Sequence, residues 1–191
     1  LPGSGLICRN PMHQALDMIA LERLGKPIPE ALLKSVTKYA MTTPVLSAGV
    51  VSTDGVMLTA LSHVESPDKQ KAVASLVKRL DDDRQGDGWG IKDHGASVRA
   101  TTRVAPGLYR AGDATHKAQA VAGQKWLAAQ QRPDGSFPAY YSPMLATIQA
   151  VPVLRGLQSF DTIGTHQPRR LVTMTVLSDA DAACTGTRTH G

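Results

Sequence analysis

Apolar residues recur at three- and four-residue steps as far as about residue 156, and that spacing predicts a chain of helices. Over 11–24 they fall at Leu16, Ile19, Ala20 and Leu24, and Gly25 and Pro27 end the run. Leu32, Leu33, Val36 and Tyr39 mark a second helix, broken by Pro44 and Ser47-Ala48-Gly49. A third is expected to start near Thr53-Asp54 and to carry Met57, Leu58 and Leu61. Ser66-Pro67-Asp68 reads as the opening of a fourth, an N-cap followed by proline in the first turn, with Val73, Leu76, Val77 and Leu80 on its apolar face. After Lys92 the pattern weakens, because Arg99, Arg103, Pro106 and Gly107 interrupt Val98, Val104 and Leu108. It returns over 114–131, with Ala118, Val121, Trp126 and Leu127, and over 142–154, where Pro152 should kink or shorten the helix.

The helices come in pairs, and the pairs repeat. Segment 71–90 matches 118–137 at an offset of 47 residues: Lys78 with Lys125, Leu80 with Leu127, Asp87-Gly88 with Asp134-Gly135. Each copy runs from a basic helix into an Asp-Gly turn, where aspartate bonds its own backbone and glycine takes the left-handed conformation. An aromatic, Trp89 or Phe137, follows and is expected to enter the next inter-helix groove. Two helices per 40–50 residues make a helical array, which must close or cap itself to hide its ends. The tail differs. His166-Gln167-Pro168 reads as a linker, 171–177 alternates with period two as a short β-strand, and 179–191 is small and polar. The fold class is therefore all-α with a C-terminal β fragment: a helical domain over 1–162, a linker over 163–169, and the start of a β-domain or a disordered tail over 170–191.

Composition narrows the partners. The 191 residues carry 21 Lys+Arg against 16 Asp+Glu, a net charge of +5, but the basic residues are dispersed and no aromatics interleave with them, so nucleic acid is not expected. No apolar run approaches the ~18 residues of a membrane span. With 4% aromatics, the core must be built from Ala, Leu, Val, Ile and Met. The absence of an initial Met or a leader suggests that the chain starts inside a larger protein. Cys8 and Cys184 form no metal-ligand cluster, and whether they pair is left open by their spacing.

Three stretches resemble the cobalamin carriers, the family of intrinsic factor, transcobalamin and haptocorrin. Ser142-Pro143-Met144 through Ile148-Gln149-Ala150-Val151-Pro152-Val153-Leu154 to Phe160-Asp161 is similar to the end of that family's helical domain. Ser52-Thr53-Asp54 with Val56, Met57, Leu58 and Leu61 resembles the opening of one of its inner helices, and Cys8-Arg9-Asn10-Pro11 a turn of intrinsic factor. The resemblance implies a partial α/α toroid of helical hairpins whose inner helices point their N-termini at a shared mouth. It also implies a secreted carrier that binds cobalamin (vitamin B12) as the helical half of a two-domain protein, with a cell-surface receptor as a further partner.

Cobalamin presents a rim of amides, so its receptor needs short acceptors and two-way amides. Asp54 can accept from an amide NH2, or act simply as an N-cap. Gln149 can donate and accept, or bridge helices. His13 and Gln14 occupy a similar opening, or are exposed helix-start residues. There are departures from the family. Val51 stands where transcobalamin has a histidine, so no cobalt ligand comes from there, and His94 reads as a solvated loop residue. Segment 90–97 lacks the family's Asn and Gln, while Arg99 and Arg103 occupy a stretch that should be apolar. With the β-domain almost wholly absent, tight binding by this chain alone is not expected.

Two other classes compete. An α/α interaction or structural module that no longer binds cobalamin accounts for the altered third inner helix. A terpene-cyclase-like enzyme is suggested by 123–127 and 135–137, which resemble the Gln-Trp repeat of triterpene cyclases. Such an enzyme needs an Asp-x-Asp-Asp acid and many aromatics. Here Asp81-Asp82-Asp83 reads as a solvated helix end, and there are eight aromatic residues. No nucleophile–base pair or metal set is legible, so the chain reads as a non-enzyme.

Overall fold

A computed structural model describes residues 10–42, 48–139 and 142–159, so the linker, the tail strand, Cys8, Cys184 and Asp161 lie outside the described residues. Seven helices run in order: α1 (Pro11–Arg23), α2 (Glu30–Thr42), α3 (Ala48–Ser62), α4 (Lys69–Asp82), α5 (Val98–Ala111), α6 (Ala114–Ala129) and α7 (Pro143–Gly156). Between α4 and α5 lies a small antiparallel sheet of β1 (Arg84–Gln85), β2 (Gly88–Ile91) and β3 (Gly95–Ala96), with β2 in the middle. The protein is mainly helical with a β fragment, and the fragment that the structure describes is this inter-helix one.

Short polar residues start the helices by taking otherwise unpaired N–H groups. Asn10 accepts from Met12, Asp113 from His116, Ser97 from Ala100 and Ser142 from Leu145. The fourth helix starts later than its sequence suggests: Asp68 is the cap residue, and Ser66 and Pro67 precede the helix.

The odd-numbered helices pack side by side, α1 on α3, α3 on α5 and α5 on α7. The even ones flank them: α2 lies against α1 and α4, α4 against α3, and α6 against α5 and α7. Residues 50–61 of α3 are buried without interruption, and α5 buries nine residues from Val98 to Leu108. Enclosed on nearly all sides, α3 has no polar face, which is why its sequence shows little period, whereas α5 keeps an exposed edge at Arg99, Tyr109 and Arg110. The weakest stretch of the pattern is thus a central element of the fold. The two helices cross at glycines. A Cβ on Gly55 would stand 2.7 Å from the backbone carbonyl of Arg103, and one on Gly107 2.8 Å from the Gly55 oxygen.

The repeat holds in its apolar anchors and fails in its turns. Leu80, Leu127, Trp89 and Phe137 are all fully buried. Trp89 enters a groove where Gly123 of α6 leaves room, and its indole N–H donates to the Leu80 carbonyl at 3.0 Å. In the second copy Gly135 has φ +83 and Ser136 bonds the Asp134 carboxylate, an Asx-type turn. In the first the left-handed residue is Gly86, and Gly88 is in a strand instead. On α6, Ala118 is exposed, while Ala120, Gly123 and Leu127 form the buried side. Pro152 does not end α7, which runs on to Gly156; the carbonyl deprived of a helical partner belongs to exposed Ile148.

Candidate functional site

The N-terminal halves of α3, α5 and α7 meet around a cleft of about 770 Å³. Ser52 comes from α3, Ser97, Arg99 and Arg103 from the start of α5, and Ser142, Leu145 and Gln149 from α7. The β2–β3 hairpin forms the rim with Ile91 and His94. Two threads hold that hairpin on α5: the Trp89 N–H donates to the Thr101 hydroxyl at 3.0 Å, and the Ser97 N–H donates to the Trp89 carbonyl at 2.8 Å. A smaller hollow of about 230 Å³ lies at the other end of α3 and α5, lined by Ser62 and Arg110.

The polar groups of the cleft fall into two kinds. The Ser97 and Ser142 hydroxyls are occupied as caps. The Ser52 hydroxyl and the Gln149 amide make no hydrogen bond among the described residues, although Ser52 is 1% and Gln149 7% exposed. Polar side chains buried to that degree normally have partners. No carboxylate is among the described residues lining the cleft.

Asp54 is elsewhere. Because α3 begins at Ala48, a turn and a half before the start expected from sequence, Asp54 is inside the helix and caps nothing. It faces the flanking helices, fully buried, with Arg79 of α4 donating from Nε at 2.7 Å and from Nη2 at 3.1 Å. Arg79 also donates to the Ala40 carbonyl in the last turn of α2, at 2.6 Å. Burial pushes the Asp54 carboxyl up, and Arg79 pulls against that rise. Burial, then the Asp54 charge, raises the Tyr39 phenol too.

His13 and Gln14 are on α1, away from the cleft. Gln14 is buried and accepts from the Ser35 hydroxyl at 2.9 Å, which ties α1 to α2; it is not the exposed helix-start residue of the alternative reading. His13 is exposed. Of the four residues singled out from sequence, Gln149 alone lines the cleft. Ser52, Arg99 and Arg103 were missed as site residues; the four-residue step of the two arginines was the available signal, since it puts both on one side of a helix.

The triad Asp81-Asp82-Asp83 closes α4. Asp82 pairs with Lys78 at 3.0 Å and Asp81 with His116 at 3.3 Å. Gln124, from the stretch that resembles the cyclase repeat, donates to the Val153 and Leu154 carbonyls at the end of α7. Among the described residues, no group of three or more His, Cys, Asp or Glu is placed to hold a metal, and no helix is long and apolar enough to cross a membrane. Comparison with family models, with curated proteins and with solved structures found no match for this chain.

Proposed function

We propose that the chain is a binding protein whose cleft receives cobalamin, as the helical, toroid-like half of a secreted carrier with a cell-surface receptor as a further partner. The observation that carries this reading is Gln149: a buried amide without a partner among the described residues, facing a cleft made by the N-terminal halves of three helices. Such an amide can donate to and accept from the amide rim of a corrin. Ile91, Val98 and Leu145 give the cleft apolar wall, as a ligand site needs. The Ser97 and Ser142 hydroxyls are already engaged as caps, and no base among the described residues is hydrogen-bonded to the Ser52 hydroxyl, which favours binding over nucleophilic catalysis.

A second reading, an interaction module that no longer binds cobalamin, has its own support. Asp54 is committed to Arg79, so the cleft lacks the acceptor the resemblance assigns to it. Met144, Leu145, Ile148 and Val151 also leave an apolar stripe exposed on α7.

Titrating the purified chain with hydroxocobalamin while following its visible spectrum separates the two. A saturable spectral change that weakens in Gln149→Leu supports the carrier reading. No change, together with no retention on a corrin resin, leaves the interaction module.

A further inference from the structure

We propose that the α5 side of the cleft is a phosphate site, so that the ligand carries a phosphate ester and Arg99 binds it. This rests on the cleft being the ligand site and does not require the ligand to be a corrinoid. Arg99 and Arg103 lie one turn apart on α5, and both line the cleft. Arg103 has an interaction of its own, so the argument stands on Arg99, which is exposed.

Beneath Arg99 lies the start of α5. Ser97 caps Ala100, while the N–H groups of Val98 and Arg99 come too early in the helix for an intrahelical partner. The start of α7 faces the same space, so two dipoles present their positive ends to it. Helix starts alone would not make a site. The second observation is the pair Ser52 and Gln149, each more than nine-tenths buried, without partners among the described residues, lining the same cleft from the neighbouring helices α3 and α7. A guanidinium, backbone N–H groups, a hydroxyl and an amide NH2 are all donors, and none of the lining residues described brings a competing carboxylate. A tetrahedral phosphate, with several acceptor oxygens, uses more of these donors than a carboxylate does.

Two matched pairs test it on the full chain by titration calorimetry. Cobalamin and dicyanocobinamide share the corrin, but only the first has the nucleotide phosphate; adenosine 5′-monophosphate and adenosine differ by the phosphate alone. The phosphate-bearing member of at least one pair is expected to bind about tenfold or more tightly, since hydrogen bonds to a charged group are worth that much. Arg99→Ala should erase the preference, and Arg99→Lys should keep part of it. As Arg99 is exposed, both variants should melt as the parent does. Cobalamin and cobinamide binding alike, with no loss in Arg99→Ala, overturns the phosphate site and leaves the corrinoid reading intact. Neither corrinoid binding, while adenosine monophosphate outbinds adenosine in an Arg99-dependent way, supports the phosphate site and sinks the corrinoid. No phosphate preference in either pair overturns the inference.

Discussion

Ser52 and Asp54 are two residues apart on α3, and both are buried, but they end in opposite circumstances. Two residues along a helix turn the side chain by about 200°, so Ser52 meets the cleft and Asp54 meets the flanking layer. There Arg79 grips Asp54 with two hydrogen bonds and ties α3 to α4 and, through Ala40, to α2. On the cleft side Ser52 and Gln149 have no such partner among the described residues. Buried polarity therefore has two meanings in this protein. Where the partner is supplied by the chain, it serves the fold; where it faces an opening, it is available to something else.

The contrast breaks most sharply at Asp54. Asp54→Ala leaves the Arg79 guanidinium without its counter-charge and should cost about 3 kcal/mol or more in urea unfolding. Replacing both partners, as in Asp54→Leu with Arg79→Met, should recover most of that loss. A single variant within about 0.5 kcal/mol of the parent would show that the pair holds nothing together.

Next is the residue beside it. Gly55→Ala forces a Cβ into the backbone of α5 and should cost about 1–3 kcal/mol. A smaller loss would mean that α3 and α5 part without resistance, and with them the wall that separates the two sides.

On the cleft side the same measurement should show almost nothing. Ser52→Ala and Gln149→Leu remove buried groups that lack partners among the described residues, so stability should stay within about 0.5 kcal/mol or rise slightly. A loss beyond about 2 kcal/mol would mean that these groups serve the fold as Asp54 does.

The smallest effect belongs to the far end of α3. His63 accepts from Arg110 of α5 at 3.0 Å and lies 3.8 Å from Glu22 of α1, with Arg23 and Lys69 also in its field. Burial first, and then the cations, hold its pKa below the ordinary 6.5, against the pull of Glu22. The unfolded chain then binds the proton more readily, so stability is complete above about pH 6.5 and falls as the pH drops from there toward the folded value. In His63→Gln the melting temperature should fall less than in the parent between pH 7.5 and 5.5. Equal slopes would show that His63 does not set this dependence.

Most of the fold can be read from the residues. The spacing of Leu16, Ile19, Leu32 and Val36, or of Leu76, Leu80 and Leu127, marks helices with one dry side, and that pattern is local. Where enclosure is nearly complete, as in α3, the signal fades, and on α5 it is interrupted by Arg99, Arg103, Pro106 and Gly107, of which the last two are buried along with its valines. The sheet escaped notice because its strands are two to four residues long and glycine-rich, too short for any alternation to register. For the site, Gln149 was legible as an amide able both to donate and to accept. Asp54 was misplaced because a helix start was set one and a half turns too late, and along a helix that changes which neighbour a side chain meets.

What the sequence determined by itself was the helices and the large anchors Trp89 and Phe137, since each depends on residues within a turn or two; the caps it suggested, Ser66 and Asp54, are not the ones the helices use. The tertiary structure decided which polar groups were used up. Arg79 reaches Asp54 from 25 positions away and Ser35 reaches Gln14 from 21, whereas Ser52 and Gln149 face one cleft from helices far apart in the chain. A hydrogen bond depends on distance and direction in space, and those are set only once the layers have packed.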